Sequence, residues 1–319
     1  MTSVALGGSR EFDSIRAIAD ALGDAAGRLG DDTAAVPQGE GTLVVSTDVS
    51  VEGVHFRRGW LTPADIGFRA TASALSDLAA AACVPAGITA AVVVPSEFTE
   101  AQLVELMQGV GSAARMAGCR VLGGDLSGGT VVSVAVTVFG HSVRPMSRVG
   151  AVAGDGIWVT GVLGGARAAL RAWLDGREPV PDAREAFAHP PARHAVARWL
   201  AAHGATAQMD ISDGLGGDAQ HLAAASDVGL RIELERLPVH PAVGAEAGRL
   251  KQDPALFAAV GGEDYEVLVT LPRDFAGAEA CLEATGVPLT RIGAVRRDAG
   301  VVCTLMGAVV PVPGFEHRL

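Results

Sequence analysis

Lysine is almost absent from this chain of 319 residues: Lys251 is the only lysine among 25 basic residues, against 36 acidic ones. The resulting net charge of -11 opposes binding to nucleic acid or to an anionic membrane surface. The sequence also lacks a phosphate-binding loop of the G-x-x-x-x-G-K-[ST] type. If the protein binds polyphosphates, we therefore expect metal ions to supply most of the positive charge.

Cysteine is scarce as well. The four cysteines lie far apart and form no C-x-x-C pair, which argues against a zinc site or a disulfide framework. The N-terminus lacks a basic segment followed by an apolar one, so we expect no signal peptide and a cytoplasmic location. The longest weakly polar run, 78–94, is broken by Pro85 and Gly87 and predicts a helix end, a turn and a strand rather than a membrane span.

The length and the order of the patterns predict two domains. A chain of 319 residues exceeds what one hydrophobic core usually organises. Strand-like runs alternate with helical stretches, such as the helix expected from Pro63 to Ala82, and this alternation indicates an α/β fold. The stretch 141–154 contains a proline and several glycines and is the predicted boundary. We therefore expect an N-terminal domain over 1–149 and a C-terminal domain over 150–319.

Aspartates recur where a turn or the end of an element is expected. They are Asp31, Asp32, Asp48, Asp77, Asp125, Asp210 and Asp213. Each one alone is explained by the common role of aspartate in turns and helix caps. Turns at strand ends along one edge of a sheet would nevertheless bring these carboxylates into a common cleft.

Converging carboxylates would need cations between them. Two carboxylates about 4 Å apart repel each other by roughly 4 kcal/mol at an effective dielectric constant near 20. Oxygen ligands, without thiolates or paired histidines, favour Mg²⁺, Ca²⁺ or Mn²⁺ over Zn²⁺. Because Mg²⁺ held by carboxylates keeps positions open for substrate phosphates, the pattern indicates a nucleotide polyphosphate as ligand.

Seven segments resemble the thiamine-monophosphate kinase family in order and spacing. They are Gly30-Asp31-Asp32, Ser46 to Phe56, Leu75 to Ala79, Gly123-Gly124-Asp125, Val159-Thr160-Gly161, Met209 to Leu215 and Gly261 to Glu266. The likeness covers nearly the whole chain. It implies a two-domain aminoimidazole-ribonucleotide-synthetase-like fold, α/β (α+β), with an N-terminal ATP-binding domain, a C-terminal α/β domain and a homodimer.

The resemblance also implies an activity and its residues. Such an enzyme uses Mg²⁺ to transfer the γ-phosphate of ATP to thiamine monophosphate, giving thiamine diphosphate and ADP. Several Mg²⁺ ions would be shared by Asp32, Ser46, Thr47, Asp48, Asp77, Asp125, Asp210 and Asp213, with Asp210 and Asp213 as the catalytic pair. ATP would contact Gly124, Asp125, Arg148 and Ser212. Thiamine monophosphate would contact His55, Glu263 and Phe315.

Four residues depart from the family pattern. Ala74 stands where asparagine is common, Ala81 and Ala82 where Met-Gly is common, and Leu126 where threonine is common. These departures leave every aspartate in place, so we expect altered packing beside the site rather than lost activity.

Other readings remain open at the level of sequence. The purine-pathway synthetases share the implied fold. A selenophosphate synthetase would have an early reactive cysteine, whereas the first cysteine here is Cys83. A hydrogenase-maturation carbamoyl dehydratase would end in cysteine, whereas this chain ends in Leu319. A noncatalytic, metal-dependent nucleotide-binding module is the alternative of a different class.

Overall fold

A computed structural model describes residues 34–38 and 41–315. Asp31 and Asp32, the first predicted acidic pair, lie outside the described residues. Within them, the chain forms two β-sheets with helices packed around them, so the expected mixed α/β class is found.

The first half of the chain forms a five-stranded sheet. Its strands are β1 Ala34–Gln38, β2 Gly41–Val51, β3 Val84–Pro95, β4 Val121–Gly129 and β5 Ser133–Ser142. They lie in the order β1-β2-β5-β3-β4, and only the β3–β4 pair is parallel. Helix α1, Pro63–Ala80, packs on the face that buries Val134 and Val136, and helix α2, Glu100–Met116, packs against α1.

The second half forms a seven-stranded sheet in the order β12-β11-β8-β10-β6-β9-β7. Its strands are β6 Gly156–Thr160, β7 Ala207–Asp210, β8 Gly229–Glu233, β9 Val267–Leu271, β10 Leu289–Arg296, β11 Gly300–Leu305 and β12 Ala308–Val310. The helices are α3 Gly165–Leu174, α4 Pro181–Ala188, α5 His194–Ala202, α6 Leu215–Ser226, α7 Val243–Arg249, α8 Pro254–Ala259 and α9 Ala278–Thr285, with a short 3₁₀ helix at Leu234–Arg236.

Helix α1 connects the two halves. It begins with a capping box in which Thr62 and Asp65 exchange side-chain and main-chain hydrogen bonds. Fourteen of its 18 residues are buried, an unusual share for a helix, because neighbours cover it on several sides. One continuous core joins Ile66 of this helix to Phe187 and Phe257 of the second half. The two halves therefore share a core, although the predicted division at 149/150 falls in the segment between the two sheets.

Two aspartates predicted at turns lie within strands. The strand expected over 42–46 continues to Val51 and includes Asp48, and the strand expected over 120–122 continues to Gly129 and includes Asp125. The longer strands are held by pairing with distant neighbours, since β2 pairs with β5 from Thr42 to Val51. Local sequence could not reveal this pairing because strand formation depends on cross-strand contacts. Helix α4 was not expected from the sequence either.

The apolar run 78–94 is divided between the end of α1 and strand β3, as expected. No helix in the described part of the chain is long and apolar enough to cross a membrane. Ala82, at the position where the resemblance predicts glycine, follows α1 with a φ of 53°. This left-handed conformation costs a residue with a Cβ atom roughly 1–2 kcal/mol, so the departure from glycine introduces local strain.

Candidate active site

Ser76 and Asp77 on α1 connect the acidic segments of the two halves. Ser46 on β2 donates a hydrogen bond from its hydroxyl to the Asp77 carboxylate at 2.5 Å. The Ser76 hydroxyl donates to the carboxylate of Asp210, at the end of β7, also at 2.5 Å. Consecutive residues of a helix point in directions about 100° apart, so one turn of α1 reaches both sheets. Three of the predicted metal ligands, Ser46, Asp77 and Asp210, are thereby brought to one place.

The pleat of β2 separates Thr47 from its neighbours. Ser46 and Asp48 are paired with Val138 and Val136, which face α1, and therefore share the covered face of the sheet. Thr47 lies on the other face, where its hydroxyl is 2.8 Å from that of Thr137. The side chains of Ser46 and Asp48 can thus act together, whereas that of Thr47 points away from them.

Arg69 is a buried cation at the centre of this region and was not expected from the sequence. Its guanidinium forms an ion pair with Glu263, donates to the Phe187 carbonyl and lies 3.8 Å from the centroid of the Phe187 ring. Burial lowers the pKa of Arg69, and the charge of Asp48 acts in the opposite direction. Arg69 precedes Ser76 by seven residues, or about two helical turns, so the sequence could have placed both residues on the same face of α1.

Tyr265 adds a neutral donor beside this ion pair. Its hydroxyl is 3.4 Å from Glu263 Oε2, and Ser73 of α1 hydrogen-bonds to it. Burial raises the pKa of the Tyr265 hydroxyl, which therefore stays protonated at neutral pH. Asp48 and Asp210 both act electrostatically on this hydroxyl, so carboxylates from the two halves lie within reach of one group.

The segment 261–266 divides into residues that hold the fold and one that faces the cavity. Asp264 is buried and accepts hydrogen bonds from Gly164 N at 2.9 and 3.0 Å, at the start of α3. Glu266 receives two hydrogen bonds of 2.6 Å from Arg193. Glu263, between a glycine pair and Asp264, has a φ of 70° and is directed into the cavity. The motif is therefore largely structural, and Glu263 is its charged side chain that lines the cavity.

Main-chain hydrogen bonds hold Glu263 beside the aspartate segment of β7. Glu263 N donates to Ser212 O at 2.7 Å, and Tyr265 N donates to Ile211 O at 2.8 Å. A Cβ atom at Gly262 would lie 2.4 Å from Ser212 O, so only glycine permits this approach. Ser212 and Asp213 are consequently fixed next to Glu263.

His55 lies in a tight loop after β2. Val51 N donates to His55 Nδ1 at 3.0 Å, which leaves the ring proton of the neutral form on Nε2. Glu52 stabilises the same loop by accepting from Arg58 Nε at 2.7 Å and from Val132 N at 3.1 Å. The loop thus presents His55 from a fixed main chain.

The C-terminal segment brings Phe315 to the same place. Phe315 N donates to Asp213 O at 2.8 Å. Gly314 and Gly217 are in such close contact that a Cβ atom on Gly314 would lie 2.6 Å from Gly217 Cα. Phe315 is 58% exposed.

One cavity of about 460 Å³ collects these residues. Five predicted site residues line it: His55, Ser212, Asp213, Glu263 and Phe315. Its wall also includes Trp60, which stacks on Trp173 at a centroid distance of 5.2 Å, and Phe187. Aromatic residues make up only 4% of the chain, so their concentration here suits an aromatic ligand.

The remaining predicted residues lie elsewhere. Gly124 and Asp125 are exposed on the edge strand β4, three strands from β2, or about 14 Å at the usual strand spacing. Gly124 is in register with Asp48 across the sheet, so the two residues share one face. Asp125 is the next residue along β4, and its side chain therefore lies on the opposite face from that of Asp48. Arg148 is buried, with its carbonyl accepting from the Ser226 hydroxyl at 2.7 Å. Within the part of the chain that is described, no three acidic, histidine or cysteine side chains are grouped closely enough to hold a metal ion.

Two family models together match most of the chain. Residues 30–142 match the AIR synthase related protein N-terminal domain, and residues 152–305 match the corresponding C-terminal domain. A solved structure of HypE in complex with ATP has a TM-score of 0.73 at 21% identity, covering 93% of this chain and 90% of that one, which shows the shared fold alone. The protein is thus a two-domain member of the AIR synthase related class.

Closer relatives are more specific. The thiamine-monophosphate kinase of Synechococcus elongatus is 38% identical over 305 residues, which cover 90% of each chain. A solved structure, AaThiL complexed with AMPPCP and TMP, has a TM-score of 0.87 and 31% identity over 97% of both chains. The chain belongs to the thiamine-monophosphate kinase family and is a kinase, which confirms the resemblance inferred from the sequence.

Proposed function

We propose that this kinase transfers the γ-phosphate of ATP to thiamine monophosphate, forming thiamine diphosphate and ADP. The observation that carries the proposal is the single cavity in which His55, Glu263 and Phe315 lie beside Ser212 and Asp213. The complex of the related AaThiL with AMPPCP and TMP supports the same pair of ligands.

The acceptor is suited to react without a general base. The second pKa of a phosphate monoester is about 6, so its terminal oxygens are largely ionised at neutral pH. One of these oxygens forms a bond to the γ-phosphorus, while the bond between that phosphorus and the β,γ-bridging oxygen breaks. ADP leaves with the electron pair, and no proton has to move. The main barrier is the repulsion between two anionic substrates.

Magnesium is the metal that we propose for this site. Asp48, Asp77, Asp210 and Asp213 supply only oxygen ligands, and both Asp77 and Asp210 are oriented by serine hydroxyls. The chemistry that Mg²⁺ would contribute is neutralisation of the facing phosphates. We propose Asp210 and Asp213 as the catalytic pair, with Asp32, Ser46 and Thr47 as further metal ligands. Asp125, three strands from β2 and on the opposite face of the first sheet, would hold a different ion from these residues. For Thr47, the main-chain carbonyl is the group to consider, since its side chain faces Thr137.

The ligand contacts follow from charge and shape. Glu263 suits the cationic thiazolium, Phe315 offers a ring face, and His55 offers a donor from Nε2. For ATP we propose Gly124, Asp125, Arg148 and Ser212. Of these, Ser212 lines the cavity.

We further propose a cytoplasmic homodimer divided into domains at residue 149/150. The four cysteines are buried free thiols, consistent with a reducing compartment. Strand β4 is a fully exposed edge strand that carries Leu122 and Leu126 at 63% and 61% exposure. Such an edge favours pairing with another chain.

Product analysis tests the proposed reaction. The purified protein should convert thiamine monophosphate, ATP and Mg²⁺ into thiamine diphosphate and ADP. Asp213→Asn should lower kcat by about 100-fold or more, as expected for loss of a charge that acts on phosphoryl transfer. Asp298→Asn, the same change at a surface residue paired with Arg296, is the matched control. AMP with free phosphate, or no product, would exclude this kinase activity.

A further inference from the structure

Arg167 lines the cavity, and the proposed reaction assigns no role to this cation. It lies in the first turn of α3 and lines the cavity together with Glu263 and Phe315. Its guanidinium carbon is 4.6 Å from the centroid of the Phe257 ring, which supports one side of the group. A Cβ atom at Gly261 would lie 2.9 Å from Arg167 Cβ, so this glycine leaves room for the arginine stem. The side chain is therefore held in place.

The electrostatic surroundings of Arg167 are unfavourable for a positive charge. The first turn is the positive end of a helix. Arg171 follows one turn later, and burial and then this second cation lower the pKa of Arg167. Arg171 has its own partner, Asp175 at 2.7 Å, whereas no ion pair or hydrogen bond connects the Arg167 guanidinium to any residue in the described ranges. A half-buried cation in such a position destabilises the protein until an anion binds.

Asp264 does not serve as that anion. Both of its carboxylate oxygens accept from Gly164 N, and it also receives a hydrogen bond from the main chain of Ala166. The Asp264 carboxyl group is thus committed to main-chain donors at the start of α3. Arg167 is left on the cavity side, where a ligand can reach it.

We propose that Arg167 binds the phosphate group of thiamine monophosphate, an inference that rests on the proposed function. Glu263 and Phe315 in the same cavity suit the cationic, aromatic part of that ligand, so an anion-binding group in the wall of this cavity completes a site for a zwitterion. A guanidinium forms paired hydrogen bonds with phosphate oxygens and stays charged despite its lowered pKa. This residue gives the site its preference for phosphorylated over free thiamine.

Three variants of the full chain test the assignment. Arg167→Gln removes the positive charge, and Arg167→Lys keeps a positive charge but lacks the paired N–H donors of the guanidinium. Arg115→Gln is the control, because it removes a charge from an exposed position on α2. KM is measured separately for thiamine monophosphate and for ATP, and calorimetry gives the affinities for thiamine monophosphate and free thiamine. Thermal unfolding verifies that each variant is folded.

Arg167→Gln should raise KM and Kd for thiamine monophosphate by about 10- to 100-fold, the usual effect of losing a charged hydrogen-bond pair. KM for ATP and the affinity for free thiamine should stay as they were, and Arg167→Lys should recover part of the loss. An unchanged KM for thiamine monophosphate, a rise in KM for ATP instead, or equal losses for both thiamine forms would overturn the assignment. If Arg167→Gln unfolds, Arg167→Lys alone decides between these outcomes.

The experiments distinguish a failure of the proposed kinase reaction from a failure of the phosphate site at Arg167. A protein that binds thiamine monophosphate through Arg167 but forms no thiamine diphosphate would refute the kinase proposal and keep the phosphate site. A protein that forms thiamine diphosphate equally well with and without Arg167 would refute the phosphate site and keep the kinase. Failure to bind thiamine monophosphate at all would overturn both.

Discussion

At the scale of single residues, the feature that organises the site is the buried ion pair between Arg69 and Glu263. Arg69 is only 3% exposed, and its partners come from the second half of the chain. A charge at such depth is tolerated because Glu263, the Phe187 carbonyl and the Phe187 ring surround it. The pair also holds Glu263 against the wall of the cavity that we assign to the cationic ligand.

Removing this cation should cost far more than removing a surface one. Arg69→Met leaves Glu263 without its partner, and we expect a loss of about 3 kcal/mol in the free energy of unfolding, measured by urea denaturation. Arg58→Met breaks the exposed pairs with Glu52 and Glu97 and should cost less than about 1 kcal/mol. Equal losses in the two variants would contradict the central role of the buried pair.

His194 makes the stability of the protein dependent on pH. It is 6% exposed, and burial, followed by the charge of Arg198, lowers its pKa to about 4. A histidine in the unfolded chain has a pKa near 6.5. Between about pH 4 and pH 6.5, His194 is therefore protonated in the unfolded chain and neutral in the folded protein. The contribution of His194 is therefore fully present above about pH 6.5 and is lost as the pH falls towards 4.

The effect of His194 should reach roughly 3 kcal/mol at most, from the difference between the two pKa values. The test compares the free energy of unfolding of the unchanged protein and of His194→Gln at pH 7.5 and at pH 4.5. The variant should lose less stability on acidification, since all other groups titrate alike in both proteins. An identical loss would show that the buried imidazole does not control this transition.

At the scale of elements, two glycines allow α1 and α2 to pack closely. A Cβ atom at Gly67 would lie 1.9 Å from Leu106 O, and one at Gly109 would lie 2.0 Å from Ala64 O. These contacts involve main-chain atoms, which cannot move aside as a flexible side chain can. Because α1 carries Arg69, Ser76 and Asp77, the helix contact also fixes the depth of the site residues.

Alanine substitutions at Gly109 and Gly111, two residues apart on α2, should change the stability of the protein in opposite directions. Gly109→Ala must push the helices apart and should cost about 1–3 kcal/mol. Gly111→Ala meets only the end of the Arg115 side chain, at 3.3 Å, and should stabilise the helix by up to about 1 kcal/mol. Thermal unfolding of both variants measures the difference. Changes of the same sign would refute the close helix contact.

The elements also show how far sequence reasoning reaches. The helix expected over 63–82 is confirmed as Pro63–Ala80, because its cap and apolar positions are local signals. The turns expected at Asp48 and Asp125 were wrong, because both residues lie in strands held by distant partners. A strand is stabilised across its neighbours, and the neighbour cannot be identified from the segment itself.

At the scale of the whole molecule, the exposed edge of the first sheet is the surface that we assign to the homodimer. Leu126→Lys on β4 should shift the protein from dimer to monomer in sedimentation experiments, because a lysine on an edge strand opposes pairing with a second chain. Val143→Lys, at a position that is 89% exposed and outside the strands, is the control and should leave the association state unchanged. A dimer that persists in Leu126→Lys would move the interface elsewhere.

The kinase family, the α/β class and five residues that line the cavity could all be inferred from the sequence, since short segments in a recognisable order carry this information without knowledge of contacts. Which groups contact each other is visible only in the folded chain, where Ser46 meets Asp77 across 31 positions and Ser76 meets Asp210 across 134. The fold also separates Thr47 from Ser46 by the pleat of one strand. The proposed role of Arg167 could not be inferred from the sequence, because its lack of an ionic partner is apparent only once packing has positioned the surrounding carboxylates.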